Sequence, residues 1–148
     1  MTRSECISKL KTKFKIGELV CNEVLAKYGE GAWRFLDDRI LQVLYLLRFE
    51  IFNAPITINN GKNFTQRGLR CNRCQLVRSK STPYLSAHVL GKAFDLDVKG
   101  YTAEQSRKKI KENLNKFPFP IRMESGVNWI HIDVVDMGNG SKLTMFNG

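Results

Sequence analysis

The sequence predicts an α+β fold. Apolar residues recur at helical spacing through the first third of the chain. Two later segments alternate in polarity as strands do, and a capped helical stretch lies between them. No internal repeat or linker interrupts the 148 residues, a length at which one core buries roughly 70% of the unfolded surface. The chain therefore reads as a single domain, residues 1–148: a helical part over 1–53, a core over 54–136 and a loose tail over 137–148.

Phe14–Gly29 reads as a helix, with Ile16, Val20, Val24 and Tyr28 on one stripe and a glycine at its end. GEG is a break. Ala32–Phe49 reads as a longer helix carrying Trp33, Leu36, Ile40, Leu44 and Leu47, stopped by Ala54-Pro55. A short strand is expected from Ile56. The stretch from Gly61 to Tyr84 is long, irregular and basic, and such loops are commonly functional. In Lys92–Val98, Phe94, Leu96 and Val98 point one way, and Ala93, Asp95 and Asp97 the other. Thr102 with Gln105 forms a capping-box pattern at the head of a helix whose stripe is Ile110, Leu114 and Phe117. Pro118-Phe119-Pro120 forces an extended exit. Ile121–Glu124 suits a strand and Ser125–Asn128 a turn. Trp129–Val135 alternates again, with Trp129, His131 and Asp133 opposite Ile130, Ile132 and Val134. The Gly/Asn-rich end is expected to be loose.

Lysine and arginine outnumber the acids 24 to 14, a net charge of +10. That balance favours polyanionic partners: nucleic acid, an acidic membrane surface or an anionic cell wall. The basic stretches RSKSTPY and SRKKIKEN belong to no visible nucleic-acid module, so nucleic acid is the minority reading. No apolar run approaches the ~20 residues of a membrane span. The N-terminal residues lack an apolar signal core, so the chain is expected in the cytoplasm until lysis or another route releases it. Of the four cysteines, Cys71 and Cys74 form a C-x-x-C. Packed thiols, a disulfide or redox pair, and a second zinc site are the readings, in that order; the spacing of Cys6 and Cys21 suggests nothing further.

The chain has only two histidines, and each sits close to an aspartate. If the two alternating strands are neighbours, Asp95 and His131 converge, and His88 reaches them from a loop turned by Gly91. Two imidazoles and a carboxylate are a ligand set that catalytic zinc uses, with one position left open. Such a site also needs a carboxylate as general base and a cation for the developing oxyanion. The same spacing suits histidines that are merely hydrogen-bonded to aspartates, and spacing alone does not choose.

Ser86-x-His88-x-x-Gly91-x-Ala93-x-Asp95, followed by Trp129-x-His131, resembles the zinc D-alanyl-D-alanine carboxypeptidase family. That family includes bacterial dipeptidases, cell-wall carboxypeptidases and phage endolysins, and shares its fold with the Hedgehog signalling domain. The resemblance runs from Thr57 to Asp136, and the N-terminal helices suit small phage or prophage members. It implies a small antiparallel sheet carrying Zn²⁺ on His88, Asp95 and His131, packed against the N-terminal helices and one further helix. A Gly-aromatic-Arg element of the family matches Gly68-Leu69-Arg70, with leucine in place of the aromatic. The resemblance thus implies Arg70, with Arg67 second, as the group contacting the scissile carbonyl; the bland reading is a basic surface. Several relatives place an acid three residues before the last histidine, where this chain has Asn128. Glu124 is the nearest upstream acid and the expected general base, with Asp133 the alternative. Asp97, Asp133, Trp129 and Ser86 are expected around the ligands or substrate. The activity implied is hydrolysis of peptidoglycan stem or cross-bridge peptides by a monomeric D,D-carboxypeptidase or endopeptidase, with the positive charge holding it to the wall. A zinc-containing binding domain without turnover and a basic nucleic-acid-binding protein are the rivals.

Overall fold

The computed structural model describes all 148 residues. It is α+β, with five α-helices and one five-stranded sheet. The helices are α1 (Arg3–Lys11), α2 (Asn22–Tyr28), α3 (Asp38–Tyr45), α4 (Gln75–Arg78) and α5 (Ala103–Glu112). The strands are β1 (Ile56–Thr57), β2 (Ala93–Val98), β3 (Ile121–Ser125), β4 (Ile130–Asp133) and β5 (Leu143–Asn147), in spatial order β1-β2-β4-β3-β5. No helix is long and apolar enough to cross a membrane.

Local chemistry explains where the helices differ from expectation. Sequence reading assigns no element before Phe14, yet Thr2 and Glu5 satisfy each other's backbone N–H groups and start α1. That helix buries Cys6 and Leu10 against the core. The helix expected over 14–29 is split: Ile16–Glu18 forms a 3₁₀ turn, and α2 begins only after Cys21. The second expected helix starts at Asp38, because the Asp37 carboxylate accepts from Arg39 N–H at 2.8 Å and caps it there. The preceding Gly29–Phe35 is 3₁₀, and α3 runs on into a wider π turn over Leu46–Ile51. The Thr102–Gln105 box caps α5 as expected.

The sheet is mixed, whereas the expectation was antiparallel. β1–β2, β2–β4 and β4–β3 are antiparallel, but β5 pairs in parallel with β3 from Ile121–Leu143 to Ser125–Asn147. The tail read as loose is therefore an edge strand. Its alternation is the reason: Leu143 and Met145 pack on the core, while Thr144 and Phe146 take the other face.

Alternation divides the sheet into two chemically distinct faces. Phe94, Leu96, Ile121, Met123, Ile130 and Ile132 are all within 1% of complete burial and join a single cluster with the N-terminal helices. Each such side chain contributes about 1.5–3 kcal/mol by leaving water. The opposite face carries Asp95, Arg122, Glu124, His131 and Asp133.

A crossing segment, Arg67–Arg70, ties this face to the helices. Leu69 N–H donates to Leu19 O and Cys21 N–H to Leu69 O, both at 2.9 Å. Asp95 N–H donates to Arg67 O at 2.8 Å, and Arg70 N–H to His88 O at 3.2 Å. Asn59, buried, pins the same crossing by donating to Val20 O and accepting from Arg67 N–H. A Cβ at Gly68 would overlap the Leu19 carbonyl, so only glycine fits there.

The second glycine that matters is Gly91, at φ +69°, which turns the chain from His88 into β2. Its carbonyl accepts from Asp37 N–H at 2.9 Å, and a Cβ would collide with Phe35 O. Gly91→Ala combines a left-handed backbone with that overlap. We expect it to cost about 1–3 kcal/mol in denaturant unfolding, and to displace His88.

Candidate metal centre

The register pairs Asp95 of β2 directly with His131 of β4. His131 Nδ1 lies 2.8 Å from Asp95 Oδ1, and His88 Nε2 lies 3.2 Å from Asp95 Oδ2. All three side chains are buried, and their ligating atoms fall within 4.8 Å of one another. The expected trio therefore converges.

What surrounds each imidazole decides which nitrogen is available. His88 Nδ1 donates to Gly68 O at 2.9 Å, which leaves Nε2 turned to the centre. His131 Nε2 lies 2.8 Å from Asp133 Oδ2, which leaves Nδ1 there. Carbonyl and carboxylate partners on the far nitrogen are the support that metal-bound histidines need. Asp133 is fully buried and is itself held in a fork by Arg122, whose Nε and Nη2 donate at 2.9 and 3.0 Å. The donor set and its supports thus fit a divalent cation.

Burial disfavours an imidazolium at His131, but the hydrogen bonds to Asp133 and Asp95 outweigh it and push its pKa up to about 9. Burial likewise disfavours charge on Asp95 and Asp133. Bonds from His131 and His88 to the first, and from His131 and Arg122 to the second, nevertheless hold both below the usual carboxylate range. Without a cation, His131 carries the proton on Nδ1 that a metal must displace. Cation affinity should therefore climb about tenfold per pH unit from 6.5 towards 9. The sign for stability is the reverse. A raised histidine stabilises the metal-free fold fully below 6.5, and that contribution, ~3 kcal/mol, is lost as pH rises through about 9. Metal titrations and urea unfolding of the chelated protein across this window check both slopes.

A cavity of about 300 Å³ opens at the trio. Arg70, Glu124, Trp129 and Ser86 line it, all expected at the site. Arg70 comes within 3.5 Å of Asp95, with its Nε on Gln66 O at 2.6 Å and its Nη1 3.3 Å from the Tyr84 hydroxyl. Glu124 reaches the cavity because β3 alternates: it stands on the Arg122 side of the strand, opposite Phe146 of β5. Asp133 has both oxygens bonded and no exposure, which suits it to orienting His131 rather than accepting a substrate proton. Ser86 also accepts from Val89 N–H at 3.4 Å, the role of a turn residue.

Asp97 pairs with Arg67 Nη1 at 2.8 Å, and the Arg67 guanidinium stacks 4.0 Å from the Phe64 ring. Arg67 is thus engaged outside the trio, and the arginines that line the cavity are Arg70 and Arg122, the latter held by Asp133. Asn128 is exposed and does not line it. Sequence reasoning missed Tyr84, Arg122 and Phe146. The Phe146 ring stands edge-on to His131 at 5.4 Å and beneath Arg122 at 4.7 Å. The alternation of Leu143–Asn147 was the available signal for Phe146; nothing local marks Tyr84.

No protein-family model matches the chain, and neither curated proteins nor solved structures give a match.

Proposed function

We propose that this protein is a zinc peptidase of the D-alanyl-D-alanine carboxypeptidase and Hedgehog-like fold class, cleaving peptides of bacterial peptidoglycan. One observation carries the reading. His88 Nε2, Asp95 and His131 Nδ1 converge at the head of a cavity that also presents one further carboxylate, Glu124, and the Arg70 guanidinium; the second arginine of its lining, Arg122, is committed to Asp133. Zinc on that trio would supply Lewis acidity, polarising a carbonyl and drawing the pKa of a bound water towards ~7. The protein's own groups do the rest. Glu124 takes a proton from the attacking water and returns it to the leaving amine. Arg70, fixed by the Gln66 carbonyl, donates to the carbonyl oxygen as it becomes negative. Asp133 and Gly68 O hold the imidazoles in the ligating tautomers. Trp129 and Phe146 shape the walls that choose the peptide, and the +10 charge draws the enzyme to an anionic wall. Its setting would be cell-wall turnover or release of phage from the host.

The test is amine release from purified peptidoglycan, followed by mass spectrometry of the fragments. Activity should vanish with a chelator and return with zinc. Arg70→Ala should lower kcat about 10²–10³-fold, the size of losing one oxyanion donor. Chelator-insensitive release, or none, rejects the reading. Asn128, where several relatives carry an acid, favours one second reading: a zinc-containing domain that binds wall peptides without cutting them. Tight, metal-dependent binding of intact muropeptides would establish it.

A further inference from the structure

Cys21, Glu23, Cys71 and Cys74 bring their ligating atoms within 4.8 Å of one another on the far side of the Arg67–Arg70 crossing. Cys21 arrives at the head of α2, and Cys71 and Cys74 from the long loop. The bond from Cys21 N–H to Leu69 O zips the two segments together. We propose that these four residues form a second metal site, a closed structural one for zinc, that clamps the loop to the helical half.

Three features support it independently of the first centre. The set of three sulfurs and one carboxylate is complete for a tetrahedral ion, and thiolate-rich sets select zinc over hard cations such as magnesium or calcium. Backbone donors are aimed at the sulfurs. Cys71 N–H points at Cys74 Sγ and Arg73 N–H at Cys71 Sγ, each at 3.4 Å. Packed apolar thiols need no such donors, whereas charged sulfurs do. Glu23 Oε2 lies 3.9 Å from Cys74 Sγ, and Arg73 and Arg78 line the same small recess, where they would offset the negative charge of the filled site. On binding, the three thiols release their protons to solvent, and no oxidation is involved. All four cysteines of the chain are free; the remaining one, Cys6, is buried in α1.

The clamp would have a consequence for the first centre. Cys71 follows Arg70 directly, and Gly68, whose carbonyl orients His88, lies just upstream. A fixed Cys71 therefore fixes the guanidinium that points into the cavity, so this is a positioning role rather than a catalytic one.

Cobalt distinguishes the two sites, because only this one holds sulfur. The full chain loaded with Co²⁺ should show a near-ultraviolet sulfur-to-cobalt charge-transfer band. His88→Ala should lose one bound ion and keep the band. Cys71→Ser and Cys74→Ser should lose the band and keep the other ion. If the histidine–aspartate trio holds no ion but this site does, the unmodified protein binds a single ion and shows the band. If the reverse is true, it binds a single ion without the band. Absence of the band from the unmodified protein overturns the proposal whether or not the variants fold. So does a metal-free protein in which thiol titration under denaturing, non-reducing conditions finds two sulfhydryls missing as a disulfide.

Discussion

Glu124→Gln is expected to lower the rate of peptide hydrolysis about 10²–10⁴-fold, the contribution of a positioned general base. The amide keeps the size and much of the polarity of the side chain but cannot take the proton. The metal content of the variant should be unchanged, because Glu124 is not among the ligating trio. That pairing of results is what separates a proton carrier from a structural acid. A variant that keeps full activity would pass the role to another group. Asp133 is poorly placed to inherit it, since its carboxylate is fully buried and bonded to His131, Arg122 and Val135 N–H. Steady-state kinetics together with metal analysis check the prediction.

Arg122→Ala is expected to cost about 3–5 kcal/mol of stability, the range found when one partner of a buried ion pair is removed. The loss comes from the Asp133 carboxylate, left inside the protein with two of its four hydrogen bonds gone. Arg122→Lys should recover only part of it, since an ammonium cannot reproduce the fork. Asp133 also orients His131, so metal affinity should fall about 10–100-fold in Arg122→Ala. Urea unfolding with and without metal measures both. An unfolding free energy within ~0.5 kcal/mol of the parent protein would mean that Asp133 does not depend on the pair.

Which side chains of the trio share a face was legible in the sequence because that information is local in kind. A period of two fixed which side of each strand carried Asp95 and His131, and the turn at Gly91 placed His88. The capping box at Thr102 and Gln105 was legible for the same reason, since both partners lie within one turn. What was not legible depended on distant pairing. The split of the first expected helix reflects Val20 bridging to Leu69, a contact no local pattern encodes. The meeting of Cys21 with Cys71 and Cys74 follows from that same bridge, which is why Cys21 looked unrelated to the C-x-x-C. β5 looked loose because glycine and asparagine dominate its approach, and its strand character is fixed by β3 beside it. The partner of Asp97 was not legible because Arg67 comes from the irregular loop.

The crossing at Gly68 bears on how the molecule can assemble. Its neighbours are Leu19, His88 and Asp95, drawn from both ends of the first two-thirds of the chain. Closing such long loops costs entropy before any contact rewards it, and topologies of this kind fold slowly. Cation-binding competence should therefore appear late in refolding, after the helices have formed, and an isolated fragment spanning 54–136 should lack it.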